Sequence, residues 1–158
     1  SKIGEKISIR RAKFFNNSTG LNFFYVHSAI EKNIGKIISI IKLENAEKTN
    51  IQDLGTKLAM HVAASNPLAI DKDRINPEIV DKELDIIKAE IINSGKPKEL
   101  AEKISKGKIS KFINENSLLN QMWIMDPKKT VKDILKENSV NKEIKVIDYV
   151  RYKVGEGV

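Results

Sequence analysis

Hydrophobic and polar residues alternate along the first third of the chain, and this period of two predicts β-strands. Runs rich in Ile, Val, Phe and Tyr cover 7–15, 23–30 and 36–44, with turn-forming residues between them. In the last run, one face would hold Ile37, Ser39, Ile41 and Leu43. The opposite face, which includes Lys36 and Lys42, would be the wetter one. We therefore predict an antiparallel sheet in this part of the chain.

The apolar spacing then changes to three and four, which predicts a helix that begins near Thr49 or Asn50 and ends before Pro67. Its apolar face would hold Leu54, Leu58, His61, Val62 and Ser65. His61 would therefore lie on or beside the buried stripe. It would also be near the C-terminal end of the helix, where a positive charge is favoured.

Two more helices are predicted over 77–115, because apolar residues recur there with spacings of four, three and four. The first arm would bury Val80, Leu84, Ile87 and Ile91. Gly95 and Pro97 lie where one helix would end and the next begin. We expect the two helices to fold back antiparallel, as a short coiled coil that projects from the sheet.

The last part of the chain is predicted to hold a loop over 117–129, a short helix over 131–138 capped by Thr130, and a strand over 143–155. The predicted fold class is α+β, an antiparallel sheet packed with helices. One domain would span 1–158. It would comprise a sheet-and-helix repeat over about 1–70, and a C-terminal part over 71–158 that includes the helical hairpin.

The net charge of +7 raises nucleic acid as a partner. The basic residues are mostly lysine, however, whereas base recognition relies on the guanidinium group of arginine. We interpret the charge as a solvated lysine surface and expect no specific nucleic acid. The chain has no cysteine, no apolar run of membrane-spanning length and no signal-like beginning, so we expect a cytoplasmic protein without membrane contact.

Catalytic chemistry has little support in the sequence. His27 and His61 are the only histidines and lack metal-ligand spacing, and no glycine-rich phosphate loop is present. We expect no enzyme activity, no metal site and no cofactor. His61 could be a core histidine or a contact residue, and the residues alone favour the core. Met122 and Trp123 are predicted to be packing anchors.

Seven segments in order resemble the elongation factor Ts family, the guanine-nucleotide exchange factors of translation. They are "IGEKISIRR" (3–11), "NIGKI" (33–37), "LAMHVAASNP" (58–67), "SGKPKELAEKISKGKISKF" (94–112), "SLLNQ" (117–121), "DPKKTVKDIL" (126–135) and "DYVRYKVGEG" (148–157). The resemblance implies that the chain binds elongation factor Tu, in its GDP and nucleotide-free forms, and promotes GDP release. It assigns partner contacts to Ile34, Gly35 and His61, with Met60 in the same motif as His61. By the same resemblance, the hairpin matches the family's projecting arm, and the flanking C-terminal part contacts the partner's third domain.

The family pattern also includes an N-terminal helical domain and a first repeat with a Thr-Asp-Phe-Val motif, and this sequence contains neither. We therefore expect a core fragment that docks on elongation factor Tu with reduced or no exchange. Two alternatives stay open on the residues. One is a basic nucleic-acid-binding domain, and the other is a self-associating module, with a possible homodimer formed through an unpaired sheet edge.

Overall fold

The computed structural model describes residues 4, 7–46, 51–94 and 98–157, with only the backbone described for Lys98 and Glu99. The strands are β1 (Leu21–Glu31), β2 (Ile34–Glu44), β3 (Met122–Trp123), β4 (Asp126–Thr130) and β5 (Lys145–Lys153). The helices are α1 (Ile51–Ser65), α2 (Pro77–Asn93), α3 (Lys98–Asn116) and α4 (Val131–Asn138). Within these described residues, no helix is long and apolar enough to cross a membrane.

The main sheet has three antiparallel strands in the order β1-β2-β5. The predicted α+β class with an antiparallel sheet is confirmed. Ser39, Ile41 and Leu43 are buried on β2, as the alternation predicts. The prediction for Lys42 was wrong, because its side chain is also buried and its ammonium group donates to the carbonyl of Asn16 at 3.1 Å.

The predicted strand over 7–15 is not a strand in the structure. This segment is attached to β5 through side chains instead. Lys13 Nζ lies 2.6 Å from Asp148 Oδ2, and the guanidinium carbon of Arg11 lies 4.8 Å from the ring centroid of Tyr152. Alternation along a short run does not distinguish a strand bonded through its backbone from an extended segment held by its side chains.

Helix α1 crosses the sheet with one row of residues spaced by four. A Cβ at Gly55 would overlap the ring of Phe23 on β1. The hydroxyl of Ser39 on β2 donates to the carbonyl of Ala59 at 2.5 Å, and Nε of Arg151 on β5 donates to the carbonyl of Ala63 at 2.9 Å. On the predicted face of α1, Leu54, Leu58, His61 and Val62 are buried and Ser65 is half-buried, and the helix ends before Pro67 as predicted. The predicted cap at 49–50 lies outside the described residues.

The other side of α1 packs against the C-terminal part of the chain. The main core joins residues of both predicted parts in one cluster that includes Phe23, Ile41, Leu58, Leu118 and Trp123. The predicted loop over 117–129 was wrong in part, because it holds a 3-10 turn at Leu118–Asn120 and the β3–β4 hairpin. The sequence pattern did not predict β3 and β4, because strands of two to five residues are too short to show a period of two.

Helices α2 and α3 pack on each other, and Lys108 Nζ on α3 lies 2.7 Å from Glu90 Oε2 on α2. Ile87 and Ile91 are buried, as predicted, whereas Val80 and Leu84 are only half-buried. Thr130 caps α4 as predicted: its hydroxyl accepts from the backbone N–H of Asp133 at 3.2 Å, and the carboxylate of Asp133 accepts from the backbone N–H of Thr130 at 2.9 Å.

We expect Gly55→Ala to destabilise the protein by about 1–3 kcal/mol, because the added methyl group overlaps the ring of Phe23 in a packed core. Gly107→Ala is the matched control, since Gly107 also lies inside a helix but has open space around its Cβ position. That control should be neutral or stabilising by up to about 1 kcal/mol, through helix propensity. Urea unfolding followed by circular dichroism measures both, and equal effects would contradict the crossing contact.

Candidate functional site

The first predicted contact residues lie where β2 begins. Ile34 follows a turn in which Asn33 takes the left-handed conformation, with φ at 65°. The side chain of Ile34 is 55% exposed. Asn33, and not Gly35, supplies the left-handed conformation of this turn. Gly35 is required by space instead, since a Cβ there would lie 2.7 Å from the carbonyl oxygen of His27. The tight hairpin therefore presents the side chain of Ile34 to solvent.

His61 is fully buried in the chain, with none of its side chain reaching solvent. Its imidazole stacks on the indole of Trp123, with ring centroids 5.3 Å apart and planes inclined by 21°. Nδ1 accepts the backbone N–H of Ile124 at 3.4 Å, and Nε2 lies 3.0 Å from Oε1 of Gln121. Every polar atom of the ring is thus used within the protein. Met60, next to it in sequence, is half-buried.

These contacts define the protonation state of His61. Because Nδ1 accepts a hydrogen bond, Nε2 carries the ring proton and donates it to Gln121. Burial lowers the pKa of His61 below 6.5, and the hydrogen bond to Gln121 opposes this only in part. The imidazole is therefore neutral at physiological pH, so it does not supply the positive charge that its place near the end of α1 favours.

The end of α1 receives its donors from other parts of the chain. The carbonyl of Ala63 accepts from Arg151, and the carbonyl of Ser65 accepts from Nε2 of Gln121 at 3.4 Å. A second bond joins Nε2 of Gln121 to the carbonyl of Glu115 on α3 at 2.9 Å. These side chains satisfy carbonyls that a helix leaves free at its C-terminal end. Gln121 therefore ties α1, α3 and His61 together.

Arg151 is the charged member of this arrangement. Its Nη1 donates to Oε1 of Glu156 at 2.7 Å, and this bond holds the pKa of Glu156 below its usual value. Along β5, Arg151 alternates with Val150 and Tyr152 and so lies on the opposite face of the strand from them. The structure shows that the arginine face is the one turned toward α1. Gly155 and Gly157, both with φ at 76°, turn the chain directly after β5.

The β3–β4 hairpin presents a different kind of surface. Trp123 is buried as predicted, but the prediction for Met122 was wrong, because it is 61% exposed. Ile124 and Met125 are 39% and 47% exposed. We call Met122, Ile124 and Met125 the hairpin edge. These three apolar residues lie close together in the chain and are exposed on one short hairpin.

The resemblance named Ile34, Gly35, Met60 and His61 as contact residues, and that assignment stays a prediction. Gln121, Arg151 and the hairpin edge were missed. Gln121 appeared only inside a stretch that carried the resemblance, and its hydrogen bonds join residues 6 to 60 positions away. The available signal is that two polar residues, Asn120 and Gln121, interrupt an otherwise apolar segment over 118–125. The predicted contact residues are also differently placed, since Ile34 lies exposed on a turn and His61 lies in the interior.

Comparison with known proteins places this arrangement in a family. The sequence model described as Elongation factor TS matches residues 1–156, and the chain belongs to this family. A relative named Elongation factor Ts in Parvibaculum lavamentivorans is 39% identical over 99% of this chain and 52% of its own length. Those in Nitrobacter hamburgensis and Clostridium kluyveri are 40% and 37% identical, over 99% and 100% of this chain and 52% and 51% of their own lengths. The chain spans about half the length of these curated relatives.

The protonation state of His61 predicts how stability depends on pH. Its folded pKa lies below the unfolded value near 6.5, so the unfolded chain binds the proton more readily. The free energy of unfolding should therefore be highest above about pH 6.5 and fall as the pH drops toward about 5. Urea titrations across this range measure the slope.

The control for this prediction is His61→Gln, which removes the titrating group and should flatten the slope. His27→Gln changes an exposed histidine on β1 and should leave the slope of the unfolding free energy against pH unchanged. A slope that survives His61→Gln would show that other groups cause the pH dependence.

Proposed function

We propose that the chain binds elongation factor Tu and acts through this binding, without covalent chemistry of its own. The observation that carries the proposal is the family match, which covers residues 1–156 and so includes every helix and strand of the described fold. The relatives' name, Elongation factor Ts, supports a role in translation elongation.

Two exposed apolar surfaces support a docking function. Ile34 stands on a hairpin whose geometry is fixed by the close approach of Gly35 to His27. The hairpin edge stands on β3–β4, which Thr130 and Asp133 fix to the start of α4. Rigid surfaces bind with a smaller loss of conformational entropy than mobile ones, because their side chains and backbone are already ordered.

Nucleotide exchange makes a further demand on the protein. A ligand accelerates GDP release only if it binds the nucleotide-free partner more tightly than the GDP-bound partner, since affinity that is equal in both states shifts nothing. In the family pattern, the Thr-Asp-Phe-Val motif supplies a wedge near the nucleotide site, and the motif does not occur in this sequence. We infer that the chain docks with little exchange activity.

Ile34→Ser should weaken binding of the chain to elongation factor Tu by about 1–2 kcal/mol, the size of a moderate interface contact. Ile30→Ser is the matched control, because Ile30 is also exposed and belongs to the same β1–β2 hairpin. Isothermal titration at two salt concentrations measures both variants. Unchanged affinity in Ile34→Ser would remove Ile34 from the interface, and no binding by the wild-type chain would overturn the proposed function.

The exchange inference has its own measurement, stopped-flow release of a fluorescent GDP analogue from elongation factor Tu. At a saturating concentration of the chain, the release rate should stay close to the spontaneous rate, because equal affinity for the two partner states leaves GDP affinity unchanged. A curated full-length relative is the positive control. Acceleration by the chain that approaches that of the relative would contradict the inference.

A further inference from the structure

We propose that residues 7–15 form a strap that opens and closes over the outer face of the sheet while the rest of the chain stays folded. The strap is not a strand, and it is attached to β5 through side chains. Its hinge lies at residues 16–17, and its latch is formed by Asp148 and Glu156, in and directly after β5. The proposal does not depend on the proposed function, because it concerns a motion of this chain by itself.

The strap crosses the sheet face that is turned away from α1. Ser39 on β2 bonds to α1, so its neighbour Ile38 lies on the outer face. From the strap, Lys13 lines a cleft with Ile38, and Arg11 lines a second cleft with Ile38 and Tyr152. Ile38 and Tyr152 are half-buried in this arrangement. The position of the strap therefore determines how far this face of the sheet is exposed to solvent.

The chain directly after the strap is fixed to the sheet by hydrogen bonds. The ammonium group of Lys42 is buried and donates to the carbonyl and to Oδ1 of Asn16, at 3.1 and 2.9 Å. Nδ2 of Asn22 donates to the same carbonyl at 3.1 Å and to Oδ1 of Asn17 at 2.7 Å. Release of Asn16 would take these acceptors from a buried charged group, which is costly. Residues 16–17 therefore stay in place when the strap moves.

The latch holds the strap through exposed ion pairs. Lys13 Nζ lies 2.6 Å from Asp148 Oδ2. Arg11 Nη2 lies 3.7 Å from Glu156 Oε2, and the other carboxylate oxygen of Glu156 accepts from Arg151, which is itself bonded to α1. The four side chains of the two ion pairs are about a third to a half exposed. Ion pairs at such positions contribute little to stability and are screened by salt.

The strap has little apolar burial to oppose its opening. Three of its apolar side chains are 77%, 93% and 88% exposed, namely Ile7, Ile9 and Phe14. Two further contacts are made by exposed cationic groups, because Arg11 stacks on Tyr152 and Nη1 of Arg10 donates to the carbonyl of Gly157 at 3.3 Å. Segments with few buried apolar contacts open at a small part of the free energy of global unfolding. Charge therefore holds the strap closed, and salt opens it.

Cleavage by an arginine-specific protease tests the proposal on the intact chain. The arginines of the sequence are Arg10, Arg11, Arg74 and Arg151, so two sites report on the strap and the exposed Arg74 is an internal reference. Cleavage after Arg10 and Arg11 follows the population of the open strap when opening is fast. A rise in salt from about 0.01 M to about 0.5 M should speed this cleavage by about fivefold relative to cleavage after Arg74.

Variants of the ion pairs separate the latch from general effects of salt. The latch variant, Asp148→Asn with Glu156→Gln, should be cleaved in the strap about fivefold faster than wild type at low salt and at the same rate at high salt. Glu90→Gln is the matched control, because it removes an exposed ion pair with Lys108 on the helical arm and should leave strap cleavage unchanged. Asp148→Lys should also speed cleavage, and Lys13→Asp added to it should restore the wild-type rate.

NMR relaxation locates the motion along the chain. The heteronuclear NOE of the backbone amides of 8–13 should fall as the salt concentration rises, while the values for Asn16 and Asn17 stay constant. The emission of Trp123 and the helical circular dichroism should also stay constant over the same range, because the core and the helices do not take part.

Three results would overturn the proposal. Strap cleavage that responds neither to salt nor to the latch variant would show that charge does not hold the strap. A fall in the NOE values at 16–17 in step with those of the strap would show that there is no hinge at that point. Loss of the Trp123 emission or of the helical signal in step with strap cleavage would show that the strap is released only when the whole chain unfolds.

Discussion

The fold depends on how α1 crosses the sheet. Gly55, Ala59 and Ala63 lie one turn apart on the helix and meet β1, β2 and β5 in succession. Small residues are needed at these positions because the helix backbone approaches the strands closely enough for Ser39 and Arg151 to reach its carbonyls. Arg151 also supplies a positive charge near the end of the helix, where the sequence of α1 itself has no basic residue in its last turn.

The close approach of one side of α1 to the sheet determines which residues the opposite side contacts. With its small residues against the sheet, the helix turns His61 toward the C-terminal part of the chain, where the ring meets Trp123 and Gln121. A buried polar group is costly unless its hydrogen bonds are made, and here both ring nitrogens have partners. Gln121 gains its own bonds from carbonyls at the ends of α1 and α3. The sheet layer and the C-terminal layer are therefore fixed to each other through one helix.

In this arrangement, the side chains that pack in the interior are different from those that are exposed to solvent. His61 and Trp123 are interior, whereas Ile34 and the hairpin edge are exposed. An ordered surface favours binding, because it loses less conformational entropy on association than a mobile one. A substitution in the interior can therefore change a surface that it does not form.

The sequence by itself determined the α+β class, the antiparallel pairing of β1 and β2, the C-terminal end of α1, both ends of α4, and the buried Ile87 and Ile91 of α2. All of these follow from periodicity and from capping residues that act within a few positions. Tertiary structure alone decided that 7–15 attaches through side chains, that Lys42 is buried, that the face of β5 with Arg151 turns inward, and that His61 is enclosed by Gln121 and Trp123. Each of these depends on partners 26 to 147 positions away, and a local pattern contains no information about which distant group will supply a hydrogen bond or a packing surface.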